Sequence, residues 1–199
     1  VIVPYNSSHN VSDHITIEAW VYLSSIGQNE GIVTKGTPSA QPFSLRIYNG
    51  KLNFLVNWGN PTGSYGGQIS LYSVANLTEN EWHHYSVTYD GEKVRFYIDG
   101  IFDSEHANSG IIFGDGGEPL YFGNDIGGAS EWLHGKISSA SLWNVSLNQN
   151  QIQDLMILFS TDNNVGLVGN WNFNEGSGDV AHDVSENQNH GTIYGASWD

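Results

Sequence analysis

Three dipeptides, Asn49-Gly50, Asp90-Gly91 and Asp99-Gly100, each stand between short runs in which apolar and polar residues alternate. Such pairs accept the backbone angles of tight hairpin turns, so each joins two antiparallel strands and fixes their register. Phe43 to Tyr48 and Lys51 to Asn57 make the first predicted hairpin, Trp82 to Tyr89 and Lys93 to Ile98 the second, and Asp99-Gly100 turns Ile98 towards Ile101. The middle of the chain is therefore a meander, and the fold it predicts is a sandwich or a barrel.

Alternation also assigns faces. Leu52, Phe54 and Val56 share one side of a strand, as do Val94, Phe96 and Ile98, with Lys93 and Arg95 on the other. In the run Thr16 to Tyr22, Ile17, Ala19 and Val21 alternate with Thr16, Glu18, Trp20 and Tyr22, so both faces carry large groups and the strand is predicted to be covered on both sides. Glu18 then needs a cation or a hydrogen-bond partner. A single packing helix is predicted, capped by Ser146 with Gln149 three residues on, with Ile152, Leu155, Met156 and Phe159 at helical spacing. Gly166 to Phe173 reads as a further strand, and Asn174 to Asp199 as a polar tail rich in Gly and Asn. At 199 residues without an internal repeat, the chain reads as one domain, residues 1–199, with residues 174–199 packing on it or leading to a next module.

Charge removes several classes of partner. Six Lys and Arg against 21 Asp and Glu give a net charge of −15, which phosphate backbones and anionic membranes repel. No apolar run reaches the ~20 residues of a membrane span. Nucleic acid and membrane insertion are thus excluded as expectations. The chain contains no cysteine, so disulfides, thiolate zinc sites and cysteine nucleophiles are absent. An acidic, Asn- and Asp-rich surface suits salty surroundings or the capture of hard cations such as Ca²⁺.

An ordered set of short motifs covers nearly the whole chain: Thr16-Ile17-Glu18-Ala19-Trp20-Val21, Ile32-Val33-Thr34-Lys35-Gly36, Glu81-Trp82-His83-His84-Tyr85, Val87-Thr88-Tyr89-Asp90-Gly91 and Tyr97-Ile98-Asp99-Gly100. Leu120-Tyr121-Phe122-Gly123-Asn124, His134-Gly135-Lys136-Ile137, Leu142-Trp143-Asn144 and Trp171-Asn172-Phe173-Asn174-Glu175-Gly176 follow in order. The set resembles the laminin-G-like, or pentraxin-like, family of the concanavalin A-like lectin and glucanase superfamily. The resemblance implies an all-β, two-sheet antiparallel jelly-roll sandwich with one short helix, often with bound Ca²⁺, found in carbohydrate-binding and adhesion modules of extracellular proteins and only occasionally in enzymes. One departure is Ser138-Ser139-Ala140, where the family usually carries Asp-Glu-Val. Trp20, Trp82, Trp143 and Trp171 fall at motif positions inside strands and are expected in the core.

Three loops carry the candidate chemistry. In the tail, Asp183, Ser185, Asn187 and Asn189 alternate oxygen donors, which reads either as a Ca²⁺ loop or as a solvated turn. From Gly123 to Trp132, Asn124, Asp125 and Glu131 stand beside Trp132, with Asp115 and Glu118 in the preceding loop. Carboxylates and amides beside an aromatic suit a sugar, whose hydroxyls need planar polar partners and whose ring face stacks; the alternative is a Gly-rich connector with Trp132 in the core. The third is Asn57 to Gly67, where Trp58 and Tyr65 sit among small polar residues and Trp58 looks hard to bury. The expected ligand contacts are Trp58, Tyr65, Asn124, Asp125, Glu131 and Trp132, and the expected Ca²⁺ ligands Asn124, Asp125, Asp183, Asn187 and Asn189.

For catalysis, retaining glucanases need two carboxyls ~5 Å apart, and no Glu-x-Asp-x-Glu run occurs. Glu79-Asn80-Glu81 has the local spacing but precedes Trp82 at a turn. Adjacent His83 and His84 face opposite sides of a strand and cannot share a metal, whereas His182 and His190 bracket the tail loop and could meet. The expectation is a non-catalytic, Ca²⁺-assisted carbohydrate-binding module of an extracellular or cell-surface adhesin, its partners a glycan or polysaccharide and neighbouring modules of its own polypeptide. A protein-docking module is the alternative, and a polysaccharide-degrading enzyme the third.

Overall fold

The structure is a computed structural model that describes the chain apart from residues 38–39, 60–64, 115, 127–130 and 159–163. Asp115, Phe159, the Asn60 to Ser64 part of one candidate loop and the Gly127 to Ser130 part of another therefore lie outside the described residues. The strands are β1 (Ile2–Val3), β2 (Ile15–Leu23), β3 (Asn29–Thr37), β4 (Ala40–Tyr48), β5 (Lys51–Gly59), β6 (Tyr65–Tyr72), β7 (Trp82–Tyr89), β8 (Lys93–Ile98) and β9 (Ile101–Ala107). They continue with β10 (Ile111–Ile112), β11 (Leu120–Phe122) and β12 (Gly135–Trp143), then helix α1 (Gln149–Leu158), then β13 (Leu167–Trp171), β14 (Val180–Ala181) and β15 (Gly191–Thr192). Among the described residues these form two antiparallel sheets of a jelly-roll sandwich, ordered β10-β5-β4-β3-β11-β1-β15-β14 with β6 also on β5, and β13-β12-β2-β7-β8-β9. No described helix is long and apolar enough to cross a membrane.

Two of the three turns adopt the geometry their dipeptides favour: φ is +50° at Asn49 and +76° at Gly50, and +51° at Asp99 and +68° at Gly100. The Asp90 turn is one residue longer. Only Gly91 has positive φ (+90°) there, while Asp90 Oδ1 accepts from the amides of Glu92 and Lys93 at 3.0 and 2.8 Å. The aspartate side chain replaces a second left-handed residue.

The core fills the space between the sheets. Ile17, Ala19 and Val21 of β2 and Tyr85, Val87 and Tyr89 of β7 meet Phe43, Leu45 and Ile47 of β4 and Leu52, Phe54 and Val56 of β5, all fully buried. The outer face of β2 is also covered, as its pattern predicts. Glu18 there accepts from Ser141 Oγ and lies 2.7 Å from Nε2 of fully buried His84, and Trp143 Nε1 donates to Ser141 Oγ at 2.8 Å. His83 is half-buried, bonded to Thr78 and Asp99 at 2.7 and 2.8 Å.

Helix α1 packs Ile152 and Leu155 on Leu147, Trp143 and Tyr97, outside the second sheet. Its cap differs from the expected one: Asn148 Oδ1 accepts from the Gln151 amide at 3.1 Å and Gln151 Oε1 from the Asn148 amide at 2.9 Å. This reciprocal box starts the helix two residues later than Ser146 would. The tryptophans divide as well. Trp143 and Trp171 are core, but Trp20 is half-buried and Trp82 is 43% exposed beside Tyr22, because both point outward where α1 does not reach.

The tail packs on the sandwich. Thr192 pairs with Ile2 of β1, Ala181 with Gly191, and Trp171 with Asp183.

Candidate functional site

Tyr65 and Trp132 stand towards opposite ends of the first sheet, while Asp125 of the second loop reaches back across the sheet to Gln41 of β4. Tyr65 pairs with Gly59 at one end of β5, whereas Asn29 of β3 pairs with Tyr48, beside Lys51 at the other. At ~3.3 Å per residue the ends of β5 lie about 25 Å apart. One small ligand cannot touch both.

At the first end Trp58 is enclosed, 4% exposed, with its ring 4.7 Å from that of Tyr89. This corrects the expectation that Trp58 resists burial. Its even position in β5 turns it to the core face with Phe54 and Val56, and β10 pairs alongside, Ile112 against Trp58. Tyr65 does stand at the surface, 56% exposed, with Phe113 5.9 Å away.

At the other end residues 123–125 and 131–133 form a short ribbon laid on β3. Asn124 bridges to Trp132, the Asp125 amide donates to Glu131 O at 3.0 Å, and the Leu133 amide to Gly123 O at 3.1 Å. The amides of Gly31 and Gly123 bind Glu131 O and Ile32 O at 3.3 and 3.0 Å. A Cβ on Gly31 would come within 2.2 Å of the Asn124 and Asp125 backbone, so this approach requires glycine.

The ribbon sorts its side chains. Asp125 is fully buried and binds Arg46 Nη1 at 2.6 Å and Gln41 Nε2, while Arg46 Nε donates to Asn53 at 2.7 Å. Trp132 is instead 54% exposed. Between them Glu131 Oε1 accepts from Asn29 Nδ2 at 2.6 Å, and Glu131 Oε2 and Asn29 Oδ1 are enclosed without a partner among the described residues. Glu118 is buried against Lys35 at 3.1 Å.

Three residues of this end are not among the expected site residues: Asn29 and Glu30, which no motif singles out, and His134, which opens the motif His134-Gly135-Lys136-Ile137. Glu30 is 1% exposed and accepts from the Gly27 and His134 amides at 2.7 and 3.1 Å and stands 2.9 Å from His134 Nδ1, whose ring remains largely exposed. The Glu30–His134 and Asn29–Glu131 contacts span more than 100 residues, which no local pattern encodes.

The Asp183 carboxylate of the tail loop spends its oxygen atoms internally, while Asn189 Oδ1 is enclosed without a partner among the described residues. Asp183 Oδ1 accepts from the Asn170 and Ser185 amides, and Oδ2 from Ser185 Oγ and the Asn189 amide, each at 2.8 Å. Four bonds fill a carboxylate. Asn187 Nδ2 donates to Val168 O at 2.9 Å, and Asn189 Nδ2 to Val168 O and Ser8 Oγ at 3.0 and 3.1 Å. A Ca²⁺ ion needs six or more oxygen lone pairs turned towards it. With Asp183 saturated and Asp125 bonded to Arg46 and Gln41, the two carboxylates named for Ca²⁺ do not fit that ion as they stand. No cluster of three His, Asp or Glu among the described residues could hold a metal. His182 and His190 do meet, with ring centroids 5.0 Å apart, but His190 Nδ1 receives the Asp183 amide at 3.1 Å. Glu79 binds the Ile26 amide at 2.8 Å and Glu81 lies 3.5 Å from His83, so the two carboxylates have different neighbours.

Comparison with known proteins follows the same lines. The chain is similar in structure to a protein from Bacteroides ovatus provisionally described as carbohydrate binding, with TM-score 0.65 and 19% identity, over 95% of this chain and 56% of that one. Domain 4 of a GH43 extracellular arabinanase from Geobacillus stearothermophilus, in complex with arabinotriose, matches at TM-score 0.61 and 16% identity over 77% and 70%. The CBM40 of a Ruminococcus gnavus IT-sialidase, bound to α2,3-sialyllactose, matches at 0.58 and 14% over 77% and 92%. These likenesses carry the fold. No curated protein matches in sequence. The laminin G family model of the Concanavalin A-like lectin/glucanases superfamily matches residues 1–153, and the chain belongs to that family.

Proposed function

We propose that this chain is a non-catalytic carbohydrate-binding module of an extracellular adhesin or surface protein. The observation that carries the reading is Trp132, half-exposed on a ribbon that is bonded on both sides and seated on Gly31. A rigid, exposed indole offers a sugar ring a stacking face at little entropic cost. Within two residues of it, the largely exposed His134 ring supplies polar atoms for hydroxyls, and Glu30 orients that ring at 2.9 Å. The structural relatives described above as carbohydrate-binding support the reading. No step of binding runs through Ca²⁺ at Asp125 or Asp183.

The test is a glycan array followed by calorimetry on the best oligosaccharide. Trp132→Ala is expected to weaken binding at least tenfold while the fold is kept. Unchanged affinity in that variant overturns the assignment. A second reading, docking of a neighbouring module, is favoured by Trp82, exposed beside Tyr22 on the outer face of the second sheet. It gains if the array is blank and Trp82→Ala abolishes association with a flanking module.

A further inference from the structure

An open, solvent-facing cavity of about 600 Å³ lies outside the second sheet, between the β7–β8 turn and the segment joining β12 to α1. That size falls within the ~300–1,000 Å³ of small-molecule sites. It is lined by Tyr97, 5% exposed, by the Asp90–Arg95 ion pair, 2.5 Å long, and by His14. Asn144, Ser146 and Gln149 also line it, from the segment that leads into α1.

The wall is chemically uncommitted. Because Asn148 and Gln151 cap α1 between themselves, the Ser146 hydroxyl is not spent on the helix. The side chains of Asn144, Ser146 and Gln149 make no hydrogen bond to another described residue. Amides and hydroxyls both donate and accept, which matches a sugar hydroxyl that does the same. The ion pair selects for neutrality: an anion in the cavity meets the Asp90 carboxylate and a cation meets the Arg95 guanidinium. The net charge of −15 adds to the bias against anions.

We propose that this cavity is a second carbohydrate subsite, one that takes a neutral monosaccharide unit. It lies on the opposite sheet from Trp132 and stands independently of that site. Two sites facing away from each other cannot share one short oligosaccharide, so they would bridge separate chains and raise avidity on a polysaccharide surface.

The experiment is a backbone-amide NMR titration with glucose, galactose, mannose, arabinose and N-acetylglucosamine at tens of millimolar, with glucuronate as the anionic control. The expected result is a saturable shift of the Tyr97, Ser146 and Gln149 amides with at least one neutral sugar, and at least tenfold weaker binding of glucuronate. Ser146→Trp, which sets an indole across the cavity and removes its hydroxyl, is expected to abolish those shifts and Trp132→Ala to leave them. Should Ser146→Trp fold poorly, the milder Asn144→Ala/Gln149→Ala pair tests the same wall. Shifts confined to the Trp132 ribbon, none with any neutral sugar, or equal response to glucuronate would overturn the cavity assignment. Shifts at the cavity alone would leave it standing and remove Trp132 as a binding residue.

Discussion

Trp58 and Trp132 occupy similar sequence, each a lone indole near glycines and small polar residues, yet one is 4% exposed and the other 54%. Composition is not what separates them. Trp58 continues the even-numbered core face of β5 and meets Tyr89 from the opposite sheet, whereas Trp132 lies in a ribbon laid over the outside of β3. Asp125 and Glu131 repeat the lesson within one ribbon: the first is buried on Arg46, and the second stays partly exposed against Asn29. Burial follows from strand parity and from what the rest of the chain places alongside.

The sharpest way to break the comparison is to remove the indoles in turn. Trp58→Ala is expected to cost about 3–5 kcal/mol of unfolding free energy, as core aromatics do, measured by urea denaturation. A loss below about 1 kcal/mol would mean that Trp58 is not core. Next comes Asp125→Ala, which strands the Arg46 guanidinium; breaking a buried pair in this way is expected to cost about 3 kcal/mol. Adding millimolar Ca²⁺ should not change the melting temperature of the unmodified protein, and a rise would return that carboxylate or Asp183 to a metal role.

Burial also predicts a pH dependence. His9 is fully enclosed, and burial, with Lys35 nearby, lowers its pKa from 6.5 to about 4 although Asp183 opposes the shift. Its folded state therefore binds the proton later than its unfolded state as the pH falls. Stability from this group is complete above pH 6.5 and is lost at up to about 1.4 kcal/mol per pH unit down to about pH 4. Denaturation at several pH values should show that slope, and His9→Leu should flatten it. Trp132→Ala comes last in stability, with an expected change below about 1 kcal/mol, because its ring is more than half exposed. Its effect belongs in affinity, and a large loss of stability would class it with Trp58.

Much of the fold was legible because the interactions concerned are local. Asn49-Gly50 and Asp99-Gly100 accept positive φ wherever they stand, and the two-sided pattern of β2 anticipates cover over Glu18. The Asp183 to Asn189 loop was visible as a constellation, but its alternating oxygens admit two readings. Only the position of β13 showed that the Asn170 amide occupies Asp183 Oδ1 and that Val168 O takes the Asn187 and Asn189 amide N–H groups. The exposure of Trp82 likewise depends on how far α1 reaches across the outer face.

By itself the sequence determined the turns, the strand faces, the presence of one helix and the family, since φ preference and period-two alternation act between neighbours in the chain. Tertiary structure alone decided which tryptophan is exposed and which aspartate is neutralised. Those outcomes depend on partners tens of residues away, such as Arg46 beneath Asp125 and Tyr89 against Trp58, whose approach exists only once the two sheets have closed.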